Sequence, residues 1–249
     1  MTERWYDDMT ERMEEIKAAV AGVQEEIAQA ARRAGRAPEE ITLVAATKTR
    51  TSEIIREAIA AGITVCGENR VQELSTHLED HAYVGAEVHF IGHLQTNKVK
   101  QVVGKVSLIQ SVGSDRLLVA IDKQAESLGI VQDILLEVNI GDEESKGGIT
   151  PQELPGLVEL ARSAPHVRLR GIMCIPPAGA SDEENRQFFV RTKQLFIDTR
   201  NKMGDNNSNI DCLSMGMSGD FAMAIEEGAT MVRVGTALFG ARPPIRLVE

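Results

Sequence analysis

A chain of 249 residues with 43% hydrophobic and 26% charged residues can bury a sizeable core and lies outside the composition of disordered segments. Its formal net charge of −10 argues against a nucleic-acid backbone as main partner, because such binding relies on Lys and Arg displacing counterions. No apolar run reaches the roughly 20 residues that span a bilayer, and residues 1–15 are polar rather than signal-like, so a cytoplasmic protein without a membrane partner is expected.

Met13, Ile16, Val20, Val23, Ile27 and Ala31 recur at helical spacing and predict a long amphipathic helix over 9–34, stopped by Gly35 and Pro38. Downstream, short β-branched runs alternate with longer helix-period segments, the pattern of parallel strands joined by crossover helices. The strands fall at 42–46, 64–66, 87–91, 107–110, 133–138, 169–172, 210–212 and 231–234. Helices fall at 51–60, 68–78, 95–103, 115–127, 151–162, 183–202 and 219–226. Eight such units in this length predict an α/β fold, a (β/α)8 TIM-type barrel with an extra N-terminal helix, over an open doubly wound sheet of about five or six strands. No composition shift marks a boundary, so residues 1–249 read as a single domain.

Barrel enzymes and binding proteins place ligands at the carboxyl ends of the strands, so the residues following each strand matter most. Lys48 follows an apolar strand, where a dry floor favours a neutral amine able to attack a carbonyl; a surface lysine capping the strand is the other reading. Asn69, Met173, Ser214, Met217, Gly235 and Thr236 follow strands two, six, seven and eight. The segments 213–218 and 233–237 are small, hydroxyl-bearing and glycine-containing, as close approach of backbone N–H groups to a phosphate requires. A phosphate there beside a lysine from strand one describes a phosphorylated carbonyl ligand, of which pyridoxal 5′-phosphate is the common example. For Arg233 two placements stand: inward, beneath a ring whose nitrogen accepts its hydrogen bond, or outward against a carboxylate.

Other polar residues have plainer readings. Cys66, Cys174 and Cys212 lack metal-ligand spacing and sit in apolar surroundings, as expected of buried reduced thiols. His77 and His81 read as helix-end or loop residues, His89 as a barrel-interior histidine, and Lys146 as part of a flexible loop.

The sequence resembles the pyridoxal phosphate homeostasis protein family, single-domain relatives of the alanine racemase barrel. The resemblance covers nearly the whole chain and rests on 46–49 (Ala-Thr-Lys-Thr), 67–73 (Gly-Glu-Asn-Arg-Val-Gln-Glu), 89–98, 138–140, 145–148, 171–173, 213–218 and 232–240. It implies a Schiff base between pyridoxal phosphate and Lys48, with Asn69 and Met173 beside the cofactor. It also implies Ser214, Gly235 and Thr236 around the phosphate and Arg233 near the pyridine nitrogen. His93 stands where the family has proline, and Thr47 where serine is frequent.

The implied role is cofactor binding for intracellular vitamin B6 homeostasis without catalysis, with transient contact to apo-enzymes that use the cofactor, and a monomeric state. The competing reading is an amino-acid racemase, which needs proton-transfer groups on both faces of the cofactor. The chain has two tyrosines, Tyr6 and Tyr83, neither placed at the mouth by the pattern, and it ends soon after strand eight. A lysine-dependent aldolase acting on a sugar phosphate is the third.

Overall fold

The computed structural model describes residues 2–143, 147–204 and 210–241. Eight parallel strands, β1 (Thr42–Ala46), β2 (Val65–Glu68), β3 (Glu87–Phe90), β4 (Leu108–Val112), β5 (Gln132–Val138), β6 (Val167–Cys174), β7 (Cys212–Ser214) and β8 (Met231–Val234), pair in chain order. β8 returns to β1, pairing Thr42 with Met231 and Val44 with Arg233, and closes the expected barrel. Each strand is covered on both faces, so burial runs unbroken through β2, β4 and β8.

Alternation along the strands divides the apolar residues between two cores. Val44, Ala46, Val65, Ile91, Leu108, Leu135, Met173 and Met231 pack inside the barrel. Cys66, Phe90, Ile109, Ile134, Leu136, Ile172 and Val232 instead join the outer layer, beneath helices α2 (Ser52–Ala60), α3 (Val71–Glu79), α4 (Asp115–Leu128), α5 (Leu154–Ser163), α6 (Asp182–Lys202), α7 (Phe221–Glu226) and α8 (Thr236–Phe239). The longest helix, α1 (Thr2–Arg33), precedes the barrel and packs on α2, α7 and α8. Its stripe is Ile16, Val20, Val23, Ile27, Ala30 and Ala31, all buried, while Met13, assigned to that stripe by spacing, is 42% exposed. Ion pairing of Arg33 with Glu226 at 2.7 Å and a bond from Arg36 to the Ala229 carbonyl at 2.6 Å fasten it to α7 and its exit. Among the described residues no helix is long and apolar enough to cross a membrane.

The departures from the sequence pattern have local causes. Strands β2, β4, β6 and β7 run further than their apolar stretches, so Glu68, Ser111, Met173 and Ser214 lie within strands rather than beyond them. Glu68, Ser111 and Ser214 are polar residues that a hydrophobic pattern leaves out, and each finds a buried hydrogen-bond partner that lets the ladder include it. The helix expected over 95–103 is instead a 3-10 helix, Thr96–Gln101, with Val99 buried inside it and Val102 and Val103 buried just beyond it.

At the amino ends of the strands, Asp133 accepts both Arg168 bonds (2.7 and 2.8 Å) and one from Arg170 (2.7 Å), and Arg170 also grips Asp211. Here β6 carries a bulge, its pairing with β5 stepping from Leu169 to Gly171. Gly171 has φ +152°, and a Cβ there would lie 1.8 Å from the Cys212 carbonyl oxygen. Gly171→Ala should therefore destabilise the protein by about 2–3 kcal/mol. A thermal melt should show Tm falling by roughly 5–10 °C; an unchanged Tm would mean the bulge absorbs a side chain.

Candidate functional site at the barrel mouth

The turn leaving β1 is anchored on both sides of Lys48. Thr47 is wholly buried and donates its N–H to the Gly67 carbonyl at 3.0 Å, while its hydroxyl bonds the Glu68 carboxylate. Thr49 adopts a left-handed φ of +65° and donates its N–H to Glu73 at 3.1 Å. Arg50 bonds the Gly240 carbonyl at 3.0 Å, on the segment after the neighbouring strand β8, and lies over the Phe239 ring. Lys48 is half-buried and falls, by the alternation that puts Val44 and Ala46 inside, on the inward side of its strand.

Beneath this turn lies Arg233, beside Val44 in the closing seam and inside the barrel. One guanidinium N–H donates to Ser214 Oγ at 2.5 Å and another to the Cys174 carbonyl at 2.8 Å. Ser214 passes the chain on to Gln110 at 2.7 Å, and Gln110 contacts His89 Nδ1 at 3.0 Å, linking β8, β7, β4 and β3 through the interior. Its pairing with Val44 and its bonds to Ser214 and the Cys174 carbonyl give the inward placement and not the outward, ion-paired one. Burial pushes the Arg233 pKa down, opposed by the charges of Glu137 and Asp220 among others. Burial likewise raises the carboxyls of Glu137, against Arg233 and His93, and of Asp220, against the Met217 N–H and Arg233.

The loops after β7 and β8 meet through Ser218, whose hydroxyl accepts the N–H groups of Gly235 (3.1 Å) and Ala237 (3.3 Å). Gly216 has φ +92°, and a Cβ there would strike α7 at Ala224, 2.6 Å away. Met217 is partly exposed and donates its N–H to Asp220 at 2.6 Å; Thr236 is exposed beside Gly235, which packs on Ala46. Asn69 directly follows β2, and its Oδ1 is buried without a hydrogen-bond partner among the described residues. A Cβ on Gly92 would lie 2.0 Å from the Asn69 carbonyl oxygen, so only glycine lets the ends of β2 and β3 approach this closely.

The structure thus gathers Lys48, Asn69, Met173, Arg233, Gly235 and Thr236 around the carboxyl ends of the strands. Ser214 sits deeper, its hydroxyl committed to Arg233 and Gln110, while Ser218 takes the loop position. Ser218 and Glu137 escaped the sequence reading, though both lie in segments already carrying marked residues. His89 is interior, its pKa pushed down to about 4 by burial and then by Arg170. His77 lies in the last turn of α3, in keeping with its helix-end reading, and both it and Tyr83, in the turn region beyond that helix, are buried around Glu68. Cys66 and Cys174 are buried and Cys212 is half-buried, a departure from its expected full burial. Burial pushes the Cys66 and Cys212 thiols up to about 12 and Cys174 to about 11, far from a reactive thiolate. Lys146 lies outside the described residues.

A lysine in the turn above a fixed guanidinium, with glycine-containing loops and a buried amide oxygen nearby, suits a planar ligand carrying a carbonyl, a basic ring nitrogen and an anionic group. Comparison with known proteins agrees with that chemistry. The model of the alanine racemase N-terminal domain matches residues 19–243. A pyridoxal phosphate homeostasis protein of Aquifex aeolicus is 46% identical over 220 residues, covering 88% of this chain and 95% of the relative. PipY of Synechococcus elongatus, solved with PLP bound, is 30% identical with a TM-score of 0.77, covering 90% of this chain and 100% of PipY. An alanine racemase of Clostridium difficile shares the fold alone, at 14% identity and a TM-score of 0.65, over 88% of this chain and 60% of the racemase. The chain belongs to the alanine racemase N-terminal domain family and, within it, to the pyridoxal phosphate homeostasis proteins.

Proposed function

We propose that this chain binds pyridoxal 5′-phosphate reversibly through a Schiff base with Lys48 and serves the cell's supply of that cofactor, with no reaction of its own. The observation that carries the reading is Arg233, a guanidinium held inside the barrel beneath the Lys48 turn. PipY, solved with PLP bound, and the relatives named for PLP homeostasis support it. When bound, the cofactor supplies an aldehyde and an electron-withdrawing pyridine ring.

In this reading Lys48 meets the aldehyde, Asn69 and Met173 flank the ring, and Arg233 donates to the ring nitrogen. Met217, Gly235 and Thr236, with Ser218, hold the phosphate; Ser214 acts from below by orienting Arg233. The unpartnered Asn69 Oδ1 fits a ligand that brings a donor to the mouth. An arginine cannot give up its proton, so the ring nitrogen facing it stays unprotonated and draws electrons weakly, which suits holding over turnover.

Racemisation needs a base on each face. Tyr83 is buried against Glu68, and burial followed by the Glu68 charge drives its pKa up. The reading includes one domain over 1–249, a cytoplasmic monomer, and transient contact with PLP-dependent apo-enzymes as recipients.

Purified protein mixed with PLP should show a band near about 420 nm that borohydride fixes to Lys48, and Lys48→Ala should lack it. No band with excess PLP would return the barrel to an aldolase-like ligand. Incubating the loaded protein with L-alanine should leave its enantiomeric purity unchanged over hours; accumulation of D-alanine above a Lys48→Ala control would favour the racemase.

A further inference from the structure

Gly67 faces the barrel interior, since a Cβ there would press on Val44 and Ile91. Glu68, the next residue, therefore faces the helices and is out of reach of a ligand in the barrel. It is nevertheless fully buried, an expensive place for a carboxylate, and its bonds, all through Oε1 while Oε2 has no partner among the described residues, offset part of that cost. Oε1 accepts the Tyr83 hydroxyl at 2.8 Å, faces His77 Nδ1 at 3.0 Å and bonds the Thr47 hydroxyl. His77 also faces the main chain of Arg50, in the turn that carries Lys48. Arg50 closes that turn with an N–H bond to the Thr47 carbonyl at 3.0 Å.

We propose that Glu68, held by His77 and Tyr83, is a positioning residue that fixes the Lys48 turn through Thr47 and so sets how readily Lys48 captures a carbonyl ligand. The inference rests on Lys48 being the lysine that binds PLP. A turn with Thr47 released samples more conformations, and a misplacement of about 1 Å at an attacking group can cost up to a hundredfold in rate.

The groups facing His77 are Glu68 from β2, Glu73 on its own helix, Tyr83 beyond that helix, and the Arg50 main chain. Burial opposes the imidazolium, but the Glu68 bond and charge, the Arg50 bond and Glu73 outweigh it, and the His77 pKa is raised. A raised pKa makes the clamp complete below the unfolded value of about 6.5 and weakens it as pH climbs through the higher folded value.

The test follows the absorbance band as PLP is added to the full-length protein, reading loading rate and Kd beside a thermal melt. Thr47→Val should load at least about tenfold more slowly with a raised Kd while staying folded, and Thr47→Ser, which restores the hydroxyl, should fall within about twofold of wild type. His77→Gln should lose the part of the wild-type loading profile that changes above about pH 6.5. If Thr47→Val fails to fold, Tyr83→Phe, which removes a single bond to Glu68, should still slow loading by about threefold. Folded variants that load at the wild-type rate, or a His77→Gln profile matching wild type, would overturn the positioning role alone. A wild-type protein without the band would overturn the PLP reading and the inference with it.

Discussion

Everything at the barrel mouth depends on a charge held where water cannot reach it. Taking a guanidinium out of water costs on the order of several kcal/mol even after relaxation. The Arg233 charge is met by the Ser214 hydroxyl and the Cys174 carbonyl, with Glu137 and Asp220 acting through space. Neither neighbour forms a close ion pair, which leaves the guanidinium directional and open to a neutral acceptor above it. The β1–β8 pairing that closes the barrel is also what sets Arg233 beside Val44, four residues before Lys48. Closing the sheet and assembling the site are one event.

The two ends of the barrel use polar groups in opposite ways. At the amino ends, a cavity of about 570 Å3 is lined by Arg170, Asp133, Asp211, Arg36 and Glu40, and these charges are consumed by one another. That arrangement ties the amino ends of β5, β6 and β7 together beside the β6 bulge. At the carboxyl ends, Asn69 Oδ1 is left without a partner, and Glu137 and Asp220 are pushed up by burial. The amino-end cavity is thus lined by charges already paired, whereas the carboxyl end holds an amide oxygen without a partner among the described residues and two carboxyls raised by burial.

The barrel was legible because strands buried on both faces read as plain β-branched runs, and β1 and β8 match the apolar stretches 42–46 and 231–234. Lys48 was legible for the same reason, as the first charge beyond an apolar strand. The direction of Arg233 was not, since alternation fixes a side only once strand register is known, and the pairing of Val44 with Arg233 supplies it. Ser214 and Glu68 were misplaced by two residues or fewer because they are polar residues inside ladders, satisfied by partners distant in sequence: Gln110 and Arg233 for one, Tyr83 and His77 for the other. Sequence proximity to a motif could not separate Ser218 from Ser214; only the convergence of the Gly235 and Ala237 N–H groups does.

Two buried ionic arrangements therefore bracket Lys48. Arg233 lies beneath it in the barrel interior, and Glu68 with His77 lies behind it in the outer layer. Each occupies a separate core, inner and outer, and each connects to the lysine strand through a different bond set: main-chain pairing for one, the Thr47 hydroxyl for the other. Replacing either whole arrangement by well-packed apolar residues would often be neutral or stabilising for folding, whereas replacing one member alone would strand its buried partners. What polarity supplies is direction, since a hydrogen bond fixes orientation where dispersion contacts fix only volume. A site meant to hold a flat ligand reversibly needs that orientation set before the ligand arrives, because ordering done at binding is subtracted from affinity.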